Sequence, residues 1–497
     1  MKHTVKNEIF IKALKSEPDL GFVNKLVKAF PKGEIYLVGG AVRDIILKRE
    51  TKDYDFVVRN VPPKSLENFL KKLGKVNLVG KSFGVFKFIP KKSKIEAIDI
   101  ALPRTEHSLH LTGGYRDFKI QSDPFLSLEK DLSRRDFTIN AIAFAIKEKK
   151  LIDPNSGLSD LAMEKIKAVG QPELRFKEDY SRILRALRFA VQLDFSLEEK
   201  TWQAVKKLTT HLKDKVVPRE VIAKEILKTF KANPVQAFDL LSDSGIFKTL
   251  MPEVEAMKNT PQPPQFHAEG DVFRHTRLAL EKLNSPAFLK YIPEKTDDLE
   301  VILGIFFHDM GKVPTLQTPE KDGVDRIRFN KHDGAGAEIT GKIIDRLKLE
   351  STGEIKKENV VWLVGRHMLL IIDDPYDLKA STIEKLFFND RLPGQKLLKV
   401  ILADVLASLP KNLKPNTHNI KRMLQRIAEL KAMDKKKKSL PLPLISGHDL
   451  IREFKLKSGP LIGELLTIIR EKQLTKKIKN SKEAFKLIKD YLDESKN

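Results

Sequence analysis

The sequence predicts an α+β head followed by a longer, all-helical remainder. Three observations carry this. Between residues 34 and about 150, short β-type runs ("EIYLVG", "YDFVV", "GVFKFI", "IEAIDIAL") alternate with helical segments. From about residue 160 strands are hard to find, and "EDYSRILRALRFAVQL", "VIAKEILKTF" and "PVQAFDLLSDSGIFKTL" space their apolar residues by three and four, as amphipathic helices do. The stretches "KNTPQPPQFHAEGD" and "DKKKKSLPLPLISG" then punctuate the helical pattern. At 497 residues the chain exceeds what one core holds, so a multi-part division is expected. The parts are a helical lead-in over 1–30, the head over 31–165, a helical neck over 166–260, a second helical unit over 261–410 and a helical tail over 411–497.

Lys and Arg outnumber Asp and Glu by 91 to 67, a formal charge of +24. Such a surplus fits a polyanionic partner, because each basic group beside a phosphate releases counterions; a solvated, Lys-rich surface fits it equally. The chain has no cysteine, which excludes disulfides, thiolate metal sites and cysteine nucleophiles, and accords with a reducing compartment. Charges interrupt the first twenty residues, unlike a signal peptide, and Arg366 and His367 break the most apolar run. A cytoplasmic protein with no membrane partner is expected.

The lead-in reads as helix and delivers the chain to "YLVGGAVRDIILKRETKDYDFVV", residues 36–58. If "EIYLV" is a strand and "AVRDIILK" a helix, Gly39 and Gly40 form the turn between them. There the backbone approaches a ligand closely and the helix N–H groups favour phosphate oxygens, with Arg43 one turn on. In a following strand, Asp53 and Asp55 point to one face. Two such carboxylates repel unless a divalent cation lies between them, and hard oxygen donors on an open edge suit Mg²⁺ with substrate phosphates. Asp99, in the later run "IEAIDIALPR", supplies a third. Two acids on one strand and another on a neighbour suit two-metal nucleotidyl transfer. The head contains neither G-x-G-x-x-G nor G-x-x-x-x-G-K-[ST]. Gly336, Gly341 and Lys342 approach the second pattern, but Ile343 replaces its hydroxyl.

"GGAVRDIIL...KDYDFVV", "DLSRRDFTINAIAF", "DPNSGLSDL" and "EDYSRILRALRFAVQLDF" follow one another over about 160 residues. In that order they resemble the class II tRNA nucleotidyltransferase and bacterial poly(A) polymerase family. The resemblance implies a polymerase beta-like nucleotidyltransferase head, with Asp53 and Asp55 on Mg²⁺. It implies nucleotide contacts from Gly40, Arg43 and Arg135, with Asp136 and Asn140 supporting sugar and triphosphate. It also implies that Asp179 and Arg182 read the base edge of CTP or ATP, with Arg185 and Arg188 close by. Residues 179 and 182 would share a helix face, where an ordinary i,i+3 ion pair is the plain alternative. "PRTEHSLHLTGGYRDFKI" stands where the family has a mobile loop that switches specificity from C to A.

The second helical unit carries "HAEGDVFRHTRLAL", "GIFFHDMGKVPT" and "FNKHDGAGAE". His275, the pair His308–Asp309 and Asp404 resemble the H...HD...D ligands of the HD phosphohydrolase superfamily. His332 and His367 match the extra histidines that let members hold a second ion. Imidazoles and carboxylates with open positions suit a divalent transition metal and phosphoester hydrolysis. A second HD dipeptide, His448–Asp449 in the tail, has no such partners. A transferase head followed by an HD unit resembles bacterial CCA-adding enzymes, some of whose HD units are 2',3'-cyclic phosphodiesterases and phosphatases. The partner implied is a tRNA 3' end, and the tail lysines are candidates for its phosphates. An A-only or CC-only enzyme, a poly(A) polymerase, and a catalytically silent RNA-binding or regulatory protein remain alternatives.

Overall fold

A computed structural model describes the chain except residues 1–6, 52, 80–83, 94–96, 109–117, 215, 373, 390, 412–413, 434–439 and 495–497. The chain divides into two compact units, Met1–Met251 and Pro252–Asn497.

The first unit is built on a seven-stranded mixed sheet. Its strands are β1 (Glu34–Val38), β2 (Asp55–Arg59), β3 (Gly74–Val79), β4 (Val85–Pro90) and β5 (Ile98–Ala101). A hairpin of β6 (Arg104–Ser108) and β7 (Phe118–Ser122) intervenes before β8 (Ala143–Ala145) and β9 (Lys150–Ile152) rejoin the sheet. The order is β3-β4-β5-β2-β1-β8-β9, with β2 and β5 parallel and the other neighbours antiparallel. β1 and β2 read as unbroken apolar runs because both sheet faces are covered. On one face Phe22, from the lead-in helix Phe22–Ala29, meets Phe56 and Phe88 edge-on. On the other, Tyr36, Val38 and Val57 pack with Leu128, Leu132, Ala141 and Val169.

Two local expectations change. β2 begins at Asp55, so Asp53 lies in the chain just ahead of the strand rather than on it. The segment expected to be a mobile loop has flanks paired as β6 and β7, while residues 109–117 lie outside the described residues.

Helices complete the first unit. Ser181–Leu193 is buried along nearly its whole length and packs against Arg219–Ala232. In the second unit the helix Leu299–Phe307 is wholly buried, as its run "LEVILGIFF" demands, and packs against Val272–Lys282, Lys357–Val364 and Gly394–Ala407. The tail helices Gly447–Phe454, Pro460–Leu474 and Ser481–Glu494 share a core of their own around Leu450, Leu465 and Ile488. The near-miss glycines Gly336 and Gly341 lie inside the continuous helix His332–Leu347, which has no phosphate loop. His448–Asp449 is a helix start: Asp449 and Ser446 cap each other's backbone N–H. Among the described residues no helix is long and apolar enough to cross a membrane.

Candidate active sites

In the head, β1 ends at Val38 and the helix Gly40–Ile46 begins at once, with Gly39 at φ +73° and ψ −139°. Only glycine occupies that region readily. A Cβ on Gly39 would also stand 3.0 Å from the Arg135 guanidinium and 3.5 Å from the Asp55 carboxylate. The turn therefore lies directly against both groups. Asp55 sits in register with Val38 on one side and Asp99 on the other, which puts two carboxylates side by side on parallel strands. Burial pushes the Asp55 carboxyl up to about 6; Arg135 opposes this, while Asp53 and Asp99 add to it. Lys87, opposite Asp99 on β4, reaches it at 2.9 Å, and that hydrogen bond raises the Lys87 pKa. An acidic edge that gathers a lysine ammonium and still holds one carboxyl up to about 6 has the donor chemistry of a divalent-cation site.

Behind this edge runs a polar chain. Arg43 donates to Asn140 Oδ1 at 2.7 Å, Asn140 donates to Asp136 at 3.3 Å, and Arg185 donates to Asp136 at 2.8 Å. Burial pushes Asp136 up, but the Arg185 guanidinium overrides it and takes the carboxyl down to about 2. Arg135 is aimed from below by the buried Asp131, 3.6 Å away, which also takes Arg134 at 2.8 Å. The third motif explains itself here. Asp153 caps Gly157 and Leu158 at 2.7 and 2.8 Å, and Asp160 accepts from Thr138 at 2.7 Å, fixing the loop that carries Asp136 and Asn140.

The helix face expected for 179 and 182 is not formed. The helix Pro172–Glu178 ends before Asp179, and the next begins at Ser181, whose N–H donates to Asp179 Oδ1 at 2.8 Å. Arg182 takes Glu178 as its carboxylate, at 2.8 Å. Arg188 is buried against Glu225 at 2.6 Å and Gln192 at 2.8 Å. It shares the Phe189 ring with two other arginines: Arg188, Arg43 and Arg185 lie 4.0, 5.1 and 5.4 Å from the ring centre.

In the second unit all six expected residues converge. His275 lies on Val272–Lys282, His308 and Asp309 follow Leu299–Phe307, His332 opens its helix, His367 follows Lys357–Val364, and Asp404 lies on Gly394–Ala407. Gly311 lets two of these segments touch, since a Cβ there would stand 1.9 Å from the His332 carbonyl oxygen. The Nδ1 atoms of His308, His332 and His367 bond the carbonyls of Ile305, Phe329 and Val364 at 2.7, 2.9 and 2.7 Å. Each Nδ1 is thus the donor, and each Nε2 turns a lone pair inward.

His332 and His367 face each other Nε2 to Nε2 at 3.1 Å, and His308 faces His275 at 3.3 Å. Asp404 lies 3.0 Å from His275, while Asp309 spans both pairs, 3.3 Å from His308 and 3.5 Å from His332. Among the described residues three triads have metal-ligand spacing: His275/His308/Asp404 and Asp309/His332/His367 within the six, and His267/Glu269/His275 beside them. Converging imidazole lone pairs with carboxylates fit first-row divalent metals. Burial pushes His275 down, but its hydrogen bonds to the Asp404 and Glu269 carboxylates override it and raise it to about 9. Burial and two neighbouring histidines drop His367 to about 4.

Sequence reasoning missed the residues that aim these groups. Glu269 accepts from His275 Nδ1 at 2.8 Å, the kind of partner that fixes a ligand histidine's tautomer. Lys312 lies 2.7 Å from Asp309 and 2.8 Å from Gln262. Both stand in the quoted strings "HAEGDVFRH" and "HDMGK", so the signal was present.

Comparison with known proteins agrees with this layout. Residues 35–167 match a poly A polymerase head domain, 194–258 a "Probable RNA and SrmB- binding site of polymerase A", 271–405 an HD domain and 401–487 a tRNA nucleotidyltransferase domain 2. The chain is 34% identical over 362 residues to a multifunctional CCA protein of Mannheimia succiniciproducens, covering 71% of this chain and 78% of the relative. With its counterpart from Shewanella denitrificans it shares 31% over 386 residues, 75% and 84% of the two chains. The fold resembles the Bacillus stearothermophilus CCA-adding enzyme in complex with CTP, at TM-score 0.63 and 22% identity over 97% of this chain and 100% of that one. It also resembles the Thermotoga maritima CCA-adding enzyme complexed with tRNA, at TM-score 0.60 and 23% identity over 96% of each. Relatives more than 30% identical share most of their length with this chain, and its head and HD unit each match a domain of known type, so the chain belongs to the multifunctional CCA protein family.

Proposed function

We propose that this chain adds C, C and A to tRNA 3' ends from CTP and ATP without a nucleic-acid template. The observation that carries the reading is the register of Asp55 with Asp99 beside the Gly39 turn, with Arg135 against both the turn and Asp55. Asp53 and Asp55 would hold Mg²⁺, which supplies charge neutralisation for the triphosphate and eases ionisation of the attacking hydroxyl. The terminal 3' oxygen bonds to the α-phosphorus as the α–β bridging bond breaks and pyrophosphate leaves. The Gly39–Gly40 turn, Arg43 and Arg135 meet the phosphates. The Asn140–Asp136–Arg185 chain keeps those groups fixed. Asp179, anchored by the Ser181 N–H, and Arg182, anchored by Glu178, present a carboxylate and a guanidinium of fixed direction to the base edge. Arg188 acts at one remove, buttressing Phe189. A chain of 497 residues with no cysteine suits the cytoplasm, where tRNA is matured.

The six-residue centre supports a second activity, hydrolysis of phosphoesters at RNA ends. Its donors fit a divalent transition metal, which supplies Lewis acidity. A water oxygen bonds to phosphorus, one ribose oxygen leaves, and that oxygen takes the proton. Blocked tRNA ends would then be cleared for extension.

The test is tRNA lacking CCA, incubated with Mg²⁺ and CTP, ATP or both, with the 3' ends sequenced. CCA from the mixture and CC from CTP alone are expected. No addition to this tRNA but a single A on tRNA that already ends in CC, CC as the only product, or a long A tail would each overturn CCA addition.

A further inference from the structure

The loop between the helices Pro252–Glu255 and Val272–Lys282 is tied to the histidine-aspartate centre at both ends. Gln262 takes Lys312, the partner of Asp309, at 2.8 Å. Glu269 takes His275 at 2.8 Å and His267 at 2.7 Å, and accepts from the Leu409 N–H at 3.0 Å. The turn between them is closed by the Phe266 and His267 N–H groups on the Pro263 carbonyl, both at 3.0 Å. A loop so fixed nonetheless leaves the Phe266 ring 51% exposed. Arg326 stands over that ring, 5.9 Å from its centre, carried by the chain that leads through Arg328–Phe329 into His332. Single exposed apolar side chains are ordinary on protein surfaces. This one sits on a hydrogen-bonded turn, one residue from His267, whose ring lies 5.0 Å from that of His275, and the exposed Arg326, Arg328 and Lys331 belong to the segment leading into His332, with Arg328 paired to Asp325 at 2.6 Å.

We propose that Phe266, with Arg326, is a nucleobase platform at the lip of the histidine-aspartate centre, which makes the centre's substrate a nucleoside phosphoester rather than any phosphate ester. The base stacks on Phe266, the phosphate lies over the metal donors, and the arginines offset the charge of the chain leading in. Stacking is indifferent to base identity, as a site clearing varied RNA ends requires. This specificity rests on the hydrolase reading above.

The experiment compares the Mn²⁺-loaded full chain with Phe266→Ala and Phe266→Trp on adenosine 2',3'-cyclic phosphate and on glycerol 1,2-cyclic phosphate, which lacks a base. Phe266→Ala should raise KM for the nucleotide by about tenfold with kcat unchanged and leave the glycerol ester unaffected, and Phe266→Trp should restore the wild-type value. Equal effects on both esters, or none on the nucleotide, would overturn the platform. Photolabelling with 8-azidoadenosine 2'-monophosphate is read independently of turnover. Label should appear on the peptide carrying Phe266 and disappear in Phe266→Ala, and label confined to head peptides counts against the platform. If the wild type hydrolyses neither ester, the hydrolase reading fails and the labelling alone decides the platform.

Discussion

Asp55 shows how a single side chain is left in tension by burial among other carboxylates. Its carboxyl is held up at about 6 by burial, with Asp53 and Asp99 adding repulsion, so in cation-free protein the ionised form at neutral pH is a cost to folding. The sign follows from the raised value: below the unfolded pKa of 3.8 both states are protonated and nothing is lost, and stability falls as pH rises through about 6. Asp55→Asn should therefore abolish incorporation yet stabilise the EDTA-treated protein at pH 8, by on the order of 1–3 kcal/mol, with the gain vanishing near pH 4. Urea denaturation of both proteins at the two pH values checks it, and a less stable Asn variant at pH 8 would contradict it. His275 is raised as well, so its contribution to stability also falls away as pH rises through about 9, but here the favoured form is the charged one. Held up at about 9 by Asp404 and Glu269 against its burial, it is protonated at pH 7.5, whereas a metal needs its Nε2 lone pair. Metal uptake should release about one proton, seen as a calorimetric enthalpy that varies with the buffer's ionisation enthalpy. Binding indifferent to buffer would remove His275 from the donor set.

At the scale of elements, the strand–turn–helix unit of β1, Gly39 and Gly40–Ile46 is what turns residues distant in sequence into one edge. Gly39→Ala should keep the fold, at a backbone cost of about 1–3 kcal/mol. Its new Cβ would press on the Arg135 guanidinium, so KM for CTP and ATP should rise together while HD hydrolysis stays unchanged. Steady-state kinetics on both activities decide, and unaltered incorporation would detach the turn from the nucleotide. This unit was legible because each of its features is local: an apolar run, two glycines, then acids at fixed spacing. The six histidine and aspartate donors were legible too, since their order in the chain follows the helices that carry them. The start of the helix at Ser181 was not. The apolar spacing of "EDYSRILRAL" runs straight through Tyr180, but Asp179 spends its carboxylate on the Ser181 N–H and stops the helix short. Lys87 was hidden for another reason. Its place beside Asp99 depends on the register of β4 with β5, which no local pattern states. Glu269 and Gln262 belong to a loop whose partners lie up to 140 residues away.

For the whole molecule, the decisive fact is that each proposed set of donors lies within one unit. The head's acids and arginines all precede Met251, and the histidine-aspartate residues all follow Pro252. Among the described residues the two sets share no side chain, so the two activities should separate cleanly by mutation. The choice of substitution matters in the second unit. Asp309 faces Lys312 and its neighbouring histidines in a buried pocket, and alanine there would strand the lysine charge, which typically costs several kcal/mol. Asn keeps the shape and removes the ligand charge. Asp309→Asn should lower hydrolysis of adenosine 2',3'-cyclic phosphate by about a hundredfold or more and leave incorporation from CTP and ATP within about twofold. Asp53→Ala, at an exposed position ahead of β2, should do the reverse with no loss of stability. Both activities are measured on one preparation of each variant, beside its thermal unfolding curve. A folded Asp309→Asn that no longer extends tRNA would mean that the hydrolase centre is needed for extension as well, and the two-centre account would fall.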